Sequence, residues 1–129
     1  MRYLAVLTPD TEEGGFTVTF PDLPGCLSEG DTADAAIENA VDALSSHVEG
    51  LIKAEIAPPP PSRVEDVGAI GQGEVLVFVP LIVESGEKVR LSVSLDRGIL
   101  TAIDEAARAQ GASRSGFIAS AARRAIAQT

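Results

Sequence analysis

The chain has 129 residues, a formal net charge of −9 at pH 7 and one cysteine, Cys26. This length allows one medium domain or two small ones. A single cysteine excludes an intrachain disulfide and fits a reducing cytoplasm. No apolar run reaches the roughly 18 residues of a membrane helix, and no signal-peptide pattern follows Arg2. We therefore expect a cytoplasmic protein that has no membrane partner.

The charge is unevenly distributed along the chain. Residues 87–129 hold seven Lys/Arg against four Asp/Glu, a net charge of +3. Residues 1–86 hold three basic and fifteen acidic side chains, a net charge of −12. This asymmetry suggests two partners of opposite charge: nucleic acid for the basic end and a basic protein for the acidic end. Ordinary solubility is the alternative explanation of the acidic part.

Three short strands are predicted within the first thirty residues. Tyr3–Leu7 is apolar, and Phe16–Phe20 alternates apolar residues with threonine, which is typical of a half-buried strand. The stiff turn Pro21–Gly25 follows, because proline fixes the backbone and glycine reverses it. Leu27–Gly30 is then predicted as the third strand.

A long amphipathic helix and a fourth strand complete the N-terminal part. Asp31 or Thr32 can cap the helix, which must end before Pro58–Pro61. The apolar run Glu74–Val83 predicts a strand that is buried on both faces, and Pro80 indicates that it reaches a sheet edge. The order predicts an α+β fold in which one helix covers a small three-to-four-stranded sheet.

The C-terminal part begins with a predicted strand, Val89–Leu95. Its apolar residues alternate with Arg90, Ser92 and Ser94, so the strand has one apolar and one polar face. A strand this short cannot satisfy its own backbone groups, and no second strand follows it. We expect it to pair with the same strand of another copy, which gives a homodimer with a two-stranded ribbon. Such a ribbon fits the major groove of DNA.

Two short helices are predicted after this strand. Asp96 and Ser113 are suitable caps, and Gly111 is a natural stop between the helices. Together the strand and helices resemble the ribbon-helix-helix class of DNA-binding domains across the C-terminal third. The resemblance implies six DNA-binding residues: Arg90, Ser92 and Ser94 at the bases, and Ser113, Arg114 and Ser115 at a phosphate. A dimerisation module without DNA binding is the alternative.

Two of the three base-contacting positions in this predicted ribbon are serine. Serine bonds to several bases and discriminates weakly, so specificity is expected to depend on Arg90, DNA shape and repeated half-sites. If the N-terminal domains also self-associate, two ribbon dimers could join as a tetramer.

The N-terminal part carries a second resemblance. The segments Gly14–Cys26 (GGFTVTFPDLPGC), Glu29–Thr32 (EGDT) and Ala35–Ala40 (AAIENA) resemble the HicB antitoxin family. The resemblance spans roughly residues 2–83 and implies a reduced ribonuclease H-like fold. It also implies a HicA-type toxin that cleaves RNA as the partner protein. Many members of this family carry a C-terminal DNA-binding domain.

The two resemblances together predict an antitoxin that inhibits its toxin and represses its own operon. The predicted organisation is a toxin-binding domain at residues 1–83, a linker at 84–87 and a ribbon-helix-helix domain at 88–129. The sequence does not indicate which residues contact the toxin.

Catalytic chemistry is not indicated by the sequence. The ribonuclease H-like resemblance draws attention to four carboxylates near the first hairpin: Asp10, Glu12, Glu13 and Asp22. Three of them lie in one loop, whereas two-metal catalysis needs carboxylates that converge from different elements. Cys26 is expected to be packed or capping, and His47 to be a surface or partner-contact residue. No catalytic residue, metal site or cofactor is predicted. A ligand-sensing repressor and a metal-dependent nuclease remain as alternatives.

Overall fold

The computed structural model describes residues 1–128, which form two compact units: Met1–Glu84 and a second unit that begins at Ser85. The first unit is a four-stranded antiparallel sheet with one long helix. The second consists of two helices behind an extended segment. The α+β class predicted from the sequence is confirmed.

The strands of the first unit are ordered β3-β2-β1-β4 in the sheet. Their bounds, with those of the helix, are β1 Arg2–Pro9, β2 Phe16–Thr19, β3 Leu27–Gly30, α1 Ala33–Lys53 and β4 Val75–Pro80. A short 3-10 turn at Val64–Asp66 interrupts the connection between α1 and β4. All neighbouring strands are antiparallel.

Helix α1 begins where the sequence predicts. The Thr32 side chain accepts a hydrogen bond from the Ala35 N–H at 3.1 Å, which satisfies one of the free donors of the first turn. The helix lies close to β3: the Ser28 hydroxyl donates to the Ala36 carbonyl at 2.9 Å. A Cβ at Gly30 would clash with the backbone nitrogen of Ala36, so only glycine allows this approach. The helix buries its apolar stripe: Ala36, Ala40, Val41, Leu44 and Val48.

Burial in the sheet differs from the sequence prediction. Tyr3 and Leu4 are adjacent in β1 and each is only 1% exposed, so β1 is buried on both faces. The prediction that the Glu74–Val83 run is buried on both faces is wrong, because β4 lies at an edge and exposes 43% of Phe78. The edge position indicated by Pro80 is confirmed. The Arg2 guanidinium lies 4.0 Å from the Phe78 ring centroid and partly covers this exposed ring.

The helices of the second unit are α2, Arg97–Ala109, and α3, Arg114–Ala127. The Asp96 carboxylate accepts from the Gly98 N–H at 2.8 Å, and the Ser113 hydroxyl accepts from the Gly116 N–H at 3.1 Å. Gly111 has a φ of +67°, the left-handed conformation that ends α2. Both predicted caps and the predicted stop are confirmed.

The predicted strand Val89–Leu95 is not formed in the single chain. Residues 87–95 belong to neither a helix nor a strand, and Val89 and Leu91 are each 83% exposed. The physical reason is that a lone segment has no neighbour for its backbone N–H and C=O groups. Pairing with a second copy stays a prediction.

Candidate functional site

The start of α3 and the extended segment before α2 form a cleft of about 900 Å³ in the second unit. Arg90 and Ser92 line it from the extended segment, and Ser113 and Ser115 line it from the start of α3. Four of the six predicted DNA-binding residues therefore lie around one cleft. Ser94 is exposed and does not line it.

The start of α3 is suited to binding an anion. The first N–H groups of a helix have no partner within the helix, and they carry the positive end of the helix dipole. The Ser113 hydroxyl caps the Gly116 N–H and lies 3.5 Å from the Ser115 hydroxyl. Two hydroxyls and unpaired backbone donors thus converge at this helix start, which is the arrangement that a phosphate group requires.

Arg114, for which the sequence predicts a phosphate contact, is paired with Asp104 in the single chain. Its Nε–H donates to Asp104 Oδ1 at 2.8 Å, and its Nη2–H donates to Asp104 Oδ2 at 2.9 Å. This bidentate pair joins α2 to α3. The hydrogen bond from Arg114 holds the pKa of the Asp104 carboxyl below its ordinary value, and the same bond raises the pKa of Arg114.

Sequence reasoning did not identify Asp104, the partner of Arg114. Its side chain is partly exposed on α2. The only sequence signal was an acid and an arginine on either side of the Gly111 turn. The sequence separation of these two residues does not determine which faces of α2 and α3 meet. The pair is therefore evident only in the folded structure.

The second unit exposes an unusual amount of apolar surface for a unit of its size. Seven aliphatic side chains are between 42% and 83% exposed: Val89, Leu91, Val93, Leu95, Ile99, Ile118 and Ile126. Exposed apolar patches of this kind mark interfaces, and a unit of about 45 residues rarely supplies a sufficient core alone.

Two of the four carboxylates near the first hairpin, Asp10 and Asp22, have backbone partners. Asp10 accepts from the N–H groups of Glu12 and Glu13 at 3.0 and 3.1 Å, which closes the loop between β1 and β2. Asp22 accepts from the Ser62 N–H at 2.7 Å and from the Ser62 hydroxyl at 2.5 Å. Within residues 1–128, no group of three or more His, Cys, Asp or Glu side chains could hold a metal ion.

Cys26 and His47 lie on or against α1. The Cys26 sulfur is buried, lies 3.7 Å from the Ala43 carbonyl oxygen, and has a pKa raised to about 11 by burial. This thiol is packed, as predicted, and is protonated near neutral pH. His47 is half-buried on the helix. None of the described helices has the length and apolarity to cross a membrane.

The protein is thus a two-unit α+β chain in which an acidic sheet-and-helix unit precedes a basic helical unit with an exposed apolar surface. The family model for the HicB_like antitoxin of bacterial toxin–antitoxin systems matches residues 3–122. The chain belongs to this family and is an antitoxin.

Individual relatives agree with this assignment. The chain is 41% identical over 85 residues to antitoxin HicB 1 of Photorhabdus laumondii; the match covers 66% of this chain and 49% of that antitoxin. It is 30% identical over 112 residues to a 14.9 kDa protein of Haemophilus phage HP1, covering 81% and 83% of the two chains. The crystal structure of the Burkholderia pseudomallei antitoxin HicB is similar at a TM-score of 0.57 and 32% identity, over 98% of both chains. The resemblance to HicB antitoxins is therefore confirmed.

Proposed function

We propose that the acidic unit neutralises a HicA-type toxin that cleaves RNA, and that the basic unit represses the antitoxin's own operon. The toxin-binding domain is residues 1–83, the linker 84–87 and the DNA-binding domain 88–129. The chain acts in the cytoplasm, where its toxin and operator are found, and it catalyses no reaction itself. The opposite charges of the two parts, −12 for residues 1–86 and +3 for residues 87–129, are the observation that carries this proposal.

The acidic unit is suited to a basic partner. Three cations, Arg2, Lys53 and Arg63, offset little of the charge of fifteen acids. Arg63 already lies 3.5 Å from both Glu65 and Asp66. A toxin that binds RNA needs a basic surface, and complementary charge accelerates the association of two proteins. Inhibition is steric, because the antitoxin covers the surface that RNA would occupy.

The basic unit is suited to DNA as a dimer. Pairing of two Val89–Leu95 segments would satisfy their backbone groups and cover the exposed apolar residues of the unit. The polar face of the resulting ribbon carries Arg90, Ser92 and Ser94 into the major groove. The start of α3, with Ser113 and Ser115, meets a phosphate. Self-association of the N-terminal units would join two such dimers as a tetramer on neighbouring half-sites.

The test of this function uses the full chain and the product of the neighbouring open reading frame, which we expect to be a short basic protein with one prominent histidine. RNA cleavage by that toxin should stop when the antitoxin reaches stoichiometric amounts. The antitoxin should also shift a duplex of the region upstream of its own gene. Undiminished cleavage at excess antitoxin would refute toxin neutralisation, and an unshifted upstream duplex would refute autorepression.

A further inference from the structure

Asp104 occupies a distinctive position between the two helices of the basic unit. Its two carboxylate oxygens accept two N–H bonds from Arg114, the first residue of α3. Arg108, one turn further along α2, also acts on the same carboxylate electrostatically. A single acid therefore offsets charge on two of the seven cations of residues 87–129.

The Asp104 carboxylate is bonded to the side chain of the first residue of α3, the helix whose start is the proposed phosphate site. Arg114 directly follows the cap residue Ser113, whose hydroxyl lies at the start of α3. A negative charge paired with the first residue of α3 opposes the approach of a phosphate group to this helix, which the helix dipole otherwise favours. The same charge holds the one guanidinium that the sequence places at the phosphate.

We propose that Asp104 limits the sequence-independent affinity of the antitoxin for DNA by holding Arg114 away from the phosphate backbone. The inference rests on the proposed DNA-binding function and adds a residue that regulates it. Because phosphate contacts carry no sequence information, Asp104 lowers affinity for operator and unrelated DNA by the same factor.

Asp104 can be changed without removing a helix cap. The caps of α2 and α3 are Asp96 and Ser113, and Asp104 contributes to neither. Its ion pair with Arg114 is partly exposed, with 34% and 58% of the two side chains accessible. Exposed pairs of this kind contribute little to folding. Asp104→Asn keeps the shape of the side chain and removes the charge, and Asp104→Ala removes the hydrogen-bond acceptors as well.

The experiment measures binding of the full chain to two duplexes at several salt concentrations. One duplex is the region upstream of the gene, and the other is a scrambled duplex of the same composition. Asp104→Asn and Asp104→Ala should tighten binding to both duplexes by roughly two- to fivefold at low salt, because an exposed ion pair holds Arg114 only weakly. The slope of log K against log salt should steepen by about 0.9 for each additional phosphate that the variant neutralises.

The chain offers a matched control. Glu105 is exposed on α2 and next to Asp104, so Glu105→Gln makes the same change in net charge without releasing Arg114. It should leave the salt slope unchanged. The double variant Asp104→Asn with Arg114→Gln should lose the increase in affinity, because the released guanidinium is then absent.

Failure of the DNA-binding function and failure of the inference about Asp104 give different results. If the wild-type chain and all variants bind neither duplex, the DNA-binding function is refuted and the inference is refuted with it. If the wild-type chain binds but Asp104→Asn binds no tighter than Glu105→Gln, or binds more weakly, the inference alone is overturned. Weaker binding would mean that Asp104 positions Arg114 for its phosphate instead of withholding it.

Discussion

At the scale of single residues, the aspartates near the first hairpin serve the backbone. Asp22 follows the first proline of the Pro21–Gly25 turn and bonds to the N–H and the hydroxyl of Ser62, forty residues later. This contact attaches the connection after α1 to the turn after β2. Asp22, which the sequence offered as one of four candidate metal-binding carboxylates, thus accepts hydrogen bonds from Ser62.

Asp22→Ala should therefore lower the stability of the protein. Hydrogen bonds to a charged group contribute about 1.5–3 kcal/mol each, and removing the acceptor leaves the Ser62 donors without it. We expect a loss of about 2–3 kcal/mol in the free energy of unfolding, measured by urea denaturation. Glu12→Ala removes the same charge from an exposed position and should change stability by less than about 0.5 kcal/mol. Equal stabilities of the two variants would contradict this role of Asp22.

Arg90 is the residue on which base recognition most depends, because the other two ribbon positions are serine. A bidentate contact between arginine and guanine contributes about 1–3 kcal/mol of discrimination. Arg90→Ala should therefore weaken binding to the upstream duplex by about 1–3 kcal/mol. The ratio of the affinities of the protein for the upstream and the scrambled duplex should fall as well. If the preference is unchanged in a fluorescence anisotropy titration, Arg90 does not read a base.

Part of this site could be predicted from the sequence. Alternation placed Arg90 and Ser92 on one polar face, and capping rules identified Ser113, because both rules are local. The DNA-binding roles, and the inclusion of Ser115, came from the ribbon-helix-helix resemblance. The Arg114–Asp104 pair could not be predicted. It depends on how two helices meet across a turn, which is a tertiary property that no local pattern encodes.

At the scale of elements, the segment Val89–Leu95 is the part of the fold that is proposed to pair with a second copy. In the single chain it is exposed, and its apolar side chains contribute nothing to a core. The alternation read from sequence indicates a strand, and the single chain lacks the partner that would form it. In the proposed dimer, pairing with the same segment of a second copy would form the strand.

Val93→Asp should prevent this pairing. Val93 is 65% exposed in the single chain, so the substitution leaves the monomer fold intact. In the proposed dimer the same position is buried, and an unpaired carboxylate there is strongly unfavourable. Sedimentation velocity should show loss of the ribbon dimer. Ser94→Asp adds the same charge on the polar face and should keep the dimer; a Val93→Asp chain that associates like the wild type would contradict the pairing.

Strand β4 shows a limit of sequence reading at the same scale. Its apolar run was interpreted as a strand buried on both faces, yet the doubly buried strand is β1. The apolar composition of a strand does not determine its position in the sheet. That position depends on how the strands are connected and paired. Local signals were more informative: Thr32, Asp96, Gly111 and Pro80 each mark a boundary or an edge as predicted.

At the scale of the whole molecule, the chain divides into two compact units whose charges have opposite sign. Each unit has features suited to one partner: the first is acidic, and the second has a serine-capped helix start beside a segment with exposed apolar side chains. We propose that toxin neutralisation and DNA binding are separable functions of these units.

The most direct test of this claim uses residues 1–86 alone. The fragment retains the whole first compact unit and all fifteen acidic side chains of that part. It should stop RNA cleavage by the toxin when added in stoichiometric amounts, and it should not bind the upstream duplex. Continued RNA cleavage at excess fragment, under conditions where the full chain inhibits, would contradict the division of function proposed for this antitoxin.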